Sequence, residues 1–327
     1  MGALQRVTFA ALVLAGASFA APPVLAQAPQ KYPSKPVRIV VPFSAGSATD
    51  ITARMISPRL SERWGQPVVI ENRAGAGGTI AAATVAKATP DGYTLLLTSA
   101  AFAISAVLNT NLPYDPLKDF VGVTQVGITT SVLAVTPALG VKSVKELIAL
   151  AQERPGKILF GSAGAGSGTH MTAERFKFAA GIKTVHVAFK GQPEMLIEIL
   201  AGRVHYGFPS LGPALPLIKD GRMLALAVLN PQRSPLLPDV PAMVEVLPGF
   251  ERDATHGLLA PAGTPRPILN QISSEVARIL DLPDVKERMQ AIGFVPAPTT
   301  PEEYDRIQRG LIETFTRVAT DAGLKPR

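Results

Sequence analysis

The sequence predicts an α/β protein with two domains, each built on a mixed, mostly parallel sheet. Short β-branched runs alternate with helical patterns along the whole chain, which is typical of this class. Two segments, beginning at Val37 and at Ile158, each have the pattern of a buried strand, a loop of small residues and a helix start. The chain of 327 residues also exceeds the usual length of one domain. We therefore expect two similar halves.

Residues 1–26 have the three parts of a secretory signal peptide. Arg6 precedes an apolar run from Val7 to Ala21, and Val24-Leu25-Ala26 forms a small-residue cleavage site. The uncharged run is short for a membrane anchor, since a bilayer span needs about 20 apolar residues. We expect cleavage after Ala26 and export to the periplasm as a soluble monomer that is not embedded in the membrane.

Short runs rich in Val, Ile, Leu, Thr and Tyr, bounded by turn residues, predict the strands. These strands are Val37–Val41, Val68–Glu71, Tyr93–Leu97, Val121–Val135, Lys157–Phe160, Thr184–Ala188, Val204–Phe208, Leu224–Leu229 and Thr255–Ala260.

Helical spacing and capping residues predict helices between these strands. A first helix begins near Ile51, with Met55, Leu60 and Trp64 on the same face. Ser143-Val144-Lys145-Glu146 and Thr300-Pro301-Glu302-Glu303 both have the pattern of a capping box, and the second should open a helix that runs to about Asp321. Pro193 and Gly202 bound a helix over Glu194–Ala201.

The long apolar strands Val121–Val135 and Thr255–Ala260 are the candidates for crossings between domains. The resulting prediction is a discontinuous first domain of residues 27–125 plus 254–327, with a second domain of residues 126–253 inserted into it. The hinge strands would lie near 121–135 and 251–260.

The loop from Ser44 to Thr49 has the composition of an anion-binding loop. Its side chains are small enough for backbone N–H groups to approach a ligand, and the following helix adds the partial positive charge of its N-terminus. The segment from Gly161 to His170 has the same character. We expect one loop on each side of a binding site.

Catalytic, cofactor and metal motifs fail at identifiable residues. Ser167 stands where a phosphate-binding loop needs lysine, and Thr169 replaces the third glycine of a dinucleotide fingerprint. The four histidines lack metal-ligand spacing and the chain has no cysteine. The formal net charge of +7 is scattered, so nucleic acid is a poor partner. We expect no enzyme activity, no cofactor and no metal.

Four polar residues near the loops leave alternatives open. His170 could donate to a ligand carboxylate or be a partly exposed residue in a first helical turn. Asp50 would repel an anion, so a local role in accepting N–H bonds is favoured over contact with a cationic ligand. Lys190 and Arg73 could pair with an anion, although solvated side chains are more common in loops.

The motifs, taken together, resemble a known family. Its pattern is found in Tyr32 to Phe43, in Gly46 with Asp50, in Glu71 to Gly78, in Pro90 to Leu96, in Gly161 to Met171, in Arg233 to Pro241 and in Gly257 to Pro265. In this order they resemble the Bug-type substrate-binding proteins of tripartite tricarboxylate transporters. The resemblance covers nearly the whole chain after residue 26.

The resemblance implies a type II periplasmic binding protein with two α/β domains around a central cleft. It also implies an organic-acid ligand held by both loops and a separate membrane permease as partner. Ser47 departs from a second glycine that is common in the family, and His256 stands where tryptophan is often found. The implied ligand-binding residues are Ser44, Ala45, Gly46, Ser47, Ala48, Thr49, Asp50, Ser162, Gly164, Gly166, Ser167, Gly168, Thr169, His170, Lys190 and Gly191.

The leading hypothesis is therefore a periplasmic protein that captures a small mono- or dicarboxylate and delivers it to a permease as its cleft closes. An alternative is a ligand sensor that reports to a membrane signalling protein. A rival from another class is an exported hydrolase with Ser44, Ser162 or Ser167 as nucleophile and His170 as base.

Overall fold

The computed structural model describes residues 32–248, 250 and 254–321. The predicted signal peptide, its cleavage site after Ala26 and residues 251–253 of the predicted second hinge lie outside the described residues. The strands, numbered along the chain, are β1 (Val37–Val41), β2 (Val68–Asn72), β3 (Thr94–Ser99), β4 (Phe120–Thr129), β5 (Val132–Val135), β6 (Leu159–Ser162), β7 (Val185–Ala188), β8 (Tyr206–Gly207), β9 (Leu224–Val228), β10 (Ala254–Pro261) and β11 (Phe294–Pro296).

Helices connect most of these strands, as the alternating pattern predicts. They are α1 (Ala48–Trp64), α2 (Thr79–Ala86), α3 (Ala100–Leu108), α4 (Val144–Glu153), α5 (Gly168–Ala180), α6 (Gln192–Leu200), α7 (Leu211–Lys219), α8 (Arg266–Leu280), α9 (Pro283–Gln290) and α10 (Pro301–Asp321). Short 3₁₀ turns lie at Ala76–Gly78, Pro137–Leu139 and Met243–Glu245.

The strands form two sheets, which confirms the predicted two-part α/β fold. The first has the order β11-β4-β10-β3-β1-β2 and the second β7-β6-β8-β5-β9. We call the first sheet with α1–α3 and α8–α10 the first lobe, and the second sheet with α4–α7 the second lobe. Both sheets are mixed as predicted, but they are not mostly parallel, since five of the nine strand pairs are antiparallel. The reason is that β4, β5 and β10 lie next to the crossings between the lobes, and their strand pairs are all antiparallel.

The long strand predicted over Val121–Val135 is two strands in different sheets. β4 ends at Thr129 and β5 begins at Val132. Between them, the Thr130 amide donates to the Gly293 carbonyl of the first lobe, at 3.0 Å, and the Thr130 carbonyl accepts from the Leu211 amide of the second, at 2.8 Å. The backbone hydrogen bonds therefore change here from the first lobe to the second. This pairing favours a crossing of the chain between the lobes at residues 130–131. The predicted domain boundaries themselves stay predictions.

Helix ends agree closely with the capping signals. The Thr300 hydroxyl accepts from the Glu303 amide, at 3.3 Å, and the Glu303 carboxylate accepts from the Thr300 amide, at 2.8 Å. This capping box opens α10, which reaches Asp321 as predicted. The sequence did not predict β11, because three residues are too few to establish a period.

Each lobe has its own buried core. In the first lobe, Phe102, Tyr114 and Phe120 pack together, with edge-to-face contacts at centroid distances of 5.0 and 5.4 Å. In the second lobe, Phe160 and Phe176 are fully buried on one face of the sheet. These two cores hold the strand ends and helix starts that face one another between the lobes.

Candidate ligand-binding cleft

The two small-residue loops have the same local structure. Ser47 caps α1 and Ser167 caps α5, with backbone angles of −69°, 161° and −71°, 161°. The Ser47 hydroxyl accepts from the Asp50 amide at 3.3 Å, and the Ser167 hydroxyl accepts from the His170 amide at 3.2 Å. Each cap satisfies one amide that the helix itself leaves without a partner.

The equivalence extends over the whole first turn. The Thr49 and Thr169 hydroxyls lie 3.1 and 2.9 Å from their cap serines. Two residues before each cap serine the chain reads Ala-Gly, and the shared sequence Ala-Gly-Ser-x-Thr-x-x-Thr covers 45–52 and 165–172. Both glycines are in the left-handed region, at φ 81° and 77°. The similarity of the two loops was predicted, but this shared motif, although visible in the sequence, was not among the predictions.

Asp50 supports the first loop from beneath. Its carboxylate accepts from the Gly46 amide, the Arg54 guanidinium and the Asn72 amide group, each at 2.9 Å. Burial raises the pKa of Asp50, but these hydrogen bonds outweigh burial and hold the pKa below its usual value of 3.8. The carboxylate is therefore ionised and compensated locally, which is the role that the sequence favoured.

His170 takes the same position beneath the second loop. Its Nδ1 accepts from the Gly166 amide at 3.2 Å, and its Nε2 lies 3.7 Å from a carboxylate oxygen of Glu174. Accepting at Nδ1 requires a lone pair there, so we assign the proton to Nε2. The ring is buried and stacks on His186, at 4.0 Å between centroids. His170 is thus a buried support and not the partly exposed residue of the alternative.

Glu174 is the anionic partner of this support. Burial raises the pKa of its carboxyl, but the contact with His170 and the hydrogen bonds from Lys177 outweigh burial and lower the pKa to about 2. Lys177 contributes two contacts, at 2.9 and 3.0 Å. Asp50 with Arg54 and His170 with Glu174 are therefore equivalent pairs, each spaced by four residues, with the order of acid and base reversed.

A cavity of about 40 Å³ lies between the two loops. This volume holds about three water-sized groups. Residues from both lobes and from the crossing at Ser131 contribute to its wall, and none of these side chains is an acid, a lysine or an arginine. The lining residues are Phe43, Ser47, Ala48, Thr49, Ser99, Ser131, Ala163, Ser167, Gly168, Thr169, Gln192, Ser210 and His256.

Five helices of the described chain begin at this cavity. Four lining serines are their N-caps, Ser47 for α1, Ser99 for α3, Ser167 for α5 and Ser210 for α7, and Gln192 is the first residue of α6. A helix N-terminus carries a partial positive charge of roughly half a unit. The site therefore attracts an anion through backbone dipoles and hydroxyl groups.

The lobes touch at two further contacts outside the cavity lining. At the first, the Ser44 hydroxyl donates to the Glu194 carboxylate at 2.9 Å, and a Cβ on Gly191 would lie 2.0 Å from the Ser44 hydroxyl oxygen. At the second, a Cβ on Gly77 would lie 2.4 Å from the Ala165 carbonyl oxygen. Because this second neighbour is backbone and cannot rotate away, glycine is required at Gly77 for the close approach of the lobes.

The predicted site residues fall into two groups. Those that line the cavity are Ser47, Ala48, Thr49, Ser167, Gly168 and Thr169. Ten others support the loops, join the lobes or face solvent, and are not among the lining residues: Ser44, Ala45, Gly46, Asp50, Ser162, Gly164, Gly166, His170, Lys190 and Gly191.

Several lining residues were not predicted from the sequence, and His256, which also lines the cavity, was marked only as a departure from the family pattern. The missed residues are Phe43, Ser99, Ser131, Ala163, Gln192 and Ser210. Ser99 and Ser210 each precede an apolar helical run, which is an N-cap signal. That signal could have identified them as helix starts, but not as neighbours in space.

For the hydrolase alternative, Ser162 and His186 form a serine–histidine contact among the described residues, but Ser162 does not line the cavity. The Ser162 hydroxyl lies 2.6 Å from His186 Nε2, but Ser162 is fully buried and does not line the cavity. The Ser167 hydroxyl bonds to Thr169 and to the His170 amide. Neither serine has both a base and access to a ligand.

Two α/β lobes around a cavity lined by helix N-caps define a solute-binding protein. Comparison with known proteins agrees. Residues 52–324 match the model of the tripartite tricarboxylate transporter family receptor. The chain belongs to this family, which confirms the resemblance seen in the motifs.

Individual relatives are similar over most of their length. Protein BugT of Bordetella pertussis is 34% identical over 297 residues, covering 90% of this chain and 91% of BugT. The structure of Rpa4515 of R. palustris with adipate is 35% identical, with a TM-score of 0.88, and covers 90% of this chain and 100% of its own.

A third relative is MatC from Rhodopseudomonas palustris with bound malate, which is 31% identical, with a TM-score of 0.84, and covers 88% of this chain and 99% of its own. The family and the fold identify this chain as a periplasmic solute-binding protein and not an enzyme. In the part of the chain that the structure describes, no helix has the length and apolar character to cross a bilayer.

Proposed function

We propose that this protein captures a small organic mono- or dicarboxylate in the cavity between its lobes. The observation that carries the proposal is the convergence of five helix N-termini on a cavity without acidic lining side chains. Such N-termini bind carboxylates well. The adipate and malate complexes of two relatives support the same ligand class.

The donors for the ligand would include first-turn amides of α1. Helical bonding uses the Ile51 amide, which donates to the Ser47 carbonyl at 2.9 Å, and the Ser47 hydroxyl uses the Asp50 amide. The amides of Ala48 and Thr49 precede these, at positions where a helix offers no carbonyl. Thr169 holds the position in α5 that Thr49 holds in α1.

Ligand binding would favour the arrangement in which the lobes touch. The cavity draws its wall from both lobes, so a ligand gains its full set of contacts only when they are together, and differential contact shifts the population toward closure. The contacts at Ser44 with Glu194 and at Gly77 with Ala165 support this arrangement. The closed form would then deliver the ligand to the membrane permease of a tripartite transporter.

Export completes the proposal. Residues 1–26 would direct the chain to the periplasm, and cleavage after Ala26 would leave Gln27 as the first residue. Fractionation of cells followed by N-terminal sequencing of the periplasmic form tests this. A mature chain that begins elsewhere would correct the cleavage site, and retention of the intact chain in the membrane would contradict export.

Two alanines of the first loop provide a matched test of the ligand site. Ala48 lines the cavity, whereas Ala45 is exposed three positions earlier. Purified protein is titrated calorimetrically with acetate, lactate, succinate, malate and adipate, and with glucose and putrescine as non-anionic probes. We expect binding of at least one carboxylate, a loss of about tenfold or more in Ala48→Val, because added methyl groups fill the cavity, and little change in Ala45→Val. Binding of glucose or putrescine but no carboxylate would refute the ligand class.

Transport is tested separately in cells. Uptake of the bound carboxylate should fall in a strain that lacks this gene. A gene copy that encodes Ala45→Val should restore uptake, whereas one that encodes Ala48→Val should not. Normal uptake without the gene, combined with a ligand-dependent change in gene expression that requires it, would favour the sensor alternative.

A further inference from the structure

The shared motif of the two loops relates lining residues of one lobe to lining residues of the other. Ser47 corresponds to Ser167 in this way, and the pair is identical. Two positions before each copy of the motif stand Phe43 and Ala163, which also line the cavity. At this position the lobes differ, because the first contributes a phenyl ring and the second a methyl group.

Phe43 is the bulkiest side chain in the cavity wall. It is 6% exposed, and Ala163 is 5% exposed. The two residues pack together with Ala101 of α3 in a small apolar cluster. The ring of the first lobe therefore contacts the second lobe at the edge of the cavity, and its size determines how much space is left there.

The backbone at both positions is held by the loops themselves. The Phe43 carbonyl accepts from the Asn72 side-chain amide at 2.9 Å, and the same amide group donates to Asp50. The Ala163 amide donates to the Thr169 hydroxyl at 2.8 Å. None of these bonds uses the side chain of Phe43 or Ala163, so a change in either side chain alters the cavity and leaves the loop bonding in place.

The space that remains beside the ring is small. The cavity of about 40 Å³ holds about three water-sized groups. The two oxygen atoms of a carboxylate occupy most of it, so only a short chain fits beside them. A longer chain would meet the Phe43 ring and hold the lobes apart, which would remove contacts such as that between Ser44 and Glu194.

The chemistry of this edge favours an uncharged chain. Phe43 and Ala163 offer apolar surface, and a second carboxylate placed against them would lose its water without gaining a hydrogen bond. An alkyl chain has no such cost, and it removes apolar surface from water when it contacts the ring.

We propose that Phe43 limits the ligand to a short monocarboxylate and excludes longer chains and dicarboxylates. The inference rests on the proposed carboxylate site and names the substrate class within it. The carboxylate binds at the helix N-termini, and its short chain ends against the Phe43 ring. Acetate and propionate represent the favoured class, and hexanoate and adipate represent the excluded one.

The test compares ligands of increasing chain length. Acetate, propionate, butyrate and hexanoate are titrated calorimetrically, with adipate as the long dicarboxylate. Wild type should bind propionate about tenfold or more tightly than hexanoate or adipate. Phe43→Leu should reduce the preference for propionate over hexanoate by about threefold or more, because the smaller side chain enlarges the cavity.

Phe102→Leu is the matched control. It makes the same substitution at a buried phenylalanine of the first-lobe core that does not line the cavity. The preference for propionate over hexanoate should keep its wild-type value in this variant.

Ala163→Val tests the corresponding position in the second lobe. Its added methyl groups make the cavity smaller, so the affinity for propionate relative to acetate should fall by about threefold or more. A general defect in lobe closure would weaken binding of all chain lengths alike. It would leave the ratios of affinities unchanged, so the ratios distinguish a limit on chain length from a structural defect.

The outcomes separate this inference from the proposed function. If wild type binds no carboxylate, the proposed function fails. If wild type binds hexanoate or adipate as tightly as propionate, or if either folded variant at Phe43 or Ala163 keeps the wild-type ratio, the carboxylate site stands and the limit set by Phe43 is wrong. An equal shift in Phe102→Leu would overturn it as well. Thermal melting identifies a misfolded variant, and the other variant then decides.

Discussion

Asp50 and His170 perform the same structural task with different chemistry. Each accepts a hydrogen bond from the backbone amide four residues earlier, Gly46 at 2.9 Å and Gly166 at 3.2 Å. Each also contacts a side chain four positions later, the Asp50 carboxylate with the Arg54 guanidinium and the His170 Nε2–H group with the Glu174 carboxylate. One loop design thus occurs twice, with the acidic and basic members exchanged, and neither pair contributes a lining side chain to the cavity.

The exchange of acid and base can be tested by copying the first pair into the second loop. His170→Asp should destabilise the fold, because a new carboxylate would face Glu174. Adding Glu174→Arg should restore part of the loss, since it recreates the Asp50–Arg54 arrangement. Urea denaturation of both single variants and the double variant at pH 7 gives their coupling, which we expect to be favourable by about 1–2 kcal/mol. A double variant as unstable as the two single losses combined would contradict the equivalence.

The Glu174 carboxylate should give the fold a specific pH dependence. Its pKa of about 2 in the folded protein lies below the ordinary value of 4.5, so its stabilisation is present above pH 4.5 and is lost as the pH falls toward 2. The shift corresponds to roughly 3 kcal/mol at pH 7. Glu174→Gln should therefore lose stability at pH 7, and the difference from wild type should shrink below pH 4.5.

Urea denaturation at pH 7, 5, 4 and 3 measures this difference. Glu198→Gln is the control, because Glu198 forms an ion pair with Arg203 on the surface and exposed pairs contribute little. A constant difference between wild type and Glu174→Gln across this range would show that the carboxylate is not the titrating group.

Alanine substitutions at Gly77 and Gly65 can separate the effect of lobe contact from the effect of backbone strain. Both have φ 64°, but a Cβ on Gly77 would meet the Ala165 carbonyl oxygen at 2.4 Å, whereas a Cβ on Gly65 would have no neighbour within 4 Å. Each change to alanine should cost about 1 kcal/mol of stability from the left-handed backbone. Only Gly77→Ala should also weaken ligand binding, because it prevents the lobes from meeting.

Calorimetry and small-angle scattering with and without ligand measure these effects. In wild type and Gly65→Ala the radius of gyration should reach the same value with ligand. Gly77→Ala should remain larger and bind more weakly. Equal affinity in the two variants would show that this contact does not limit closure.

Local signals in the sequence predicted local structure well. The strand at Val37–Val41 and the capping box at Thr300 both depend on residues close together in the chain, and the structure confirms them. The break at Thr130 was not predicted, because it depends on Leu211 and Gly293, which are distant in sequence. The composition of the cavity wall was not predicted for the same reason, since Ser99, Ser131 and Ser210 are brought together only in the folded chain.

The placement of His170 shows a second limit. Its position at a helix start predicted a first-turn residue, and the structure agrees. Its burial depends on stacking with His186 and on the contact with Glu174. A side chain in the first turn of a helix can either accept from a backbone amide or contact a ligand. The sequence position is the same in both cases, so only the fold distinguishes the two roles.

Ser47 allows a last prediction about the loop motif. Its hydroxyl caps the Asp50 amide and its own amide donates to the Ser44 carbonyl at 3.1 Å. The hydroxyl is therefore part of the loop's internal bonding, in addition to lining the cavity. Ser47→Ala should cost about 1 kcal/mol, whereas Ser47→Gly should cost only a few tenths, because glycine is tolerated as an N-cap.

The same pair of substitutions at Ser167 should give the same order, since the two caps have nearly identical geometry. Urea denaturation without ligand measures all four variants under one set of conditions. Equal losses for alanine and glycine at both positions would mean that the hydroxyl bonds add nothing to the helix starts. A loss confined to one position would show that the two loops, despite their shared sequence, do not depend on their cap serines in the same way.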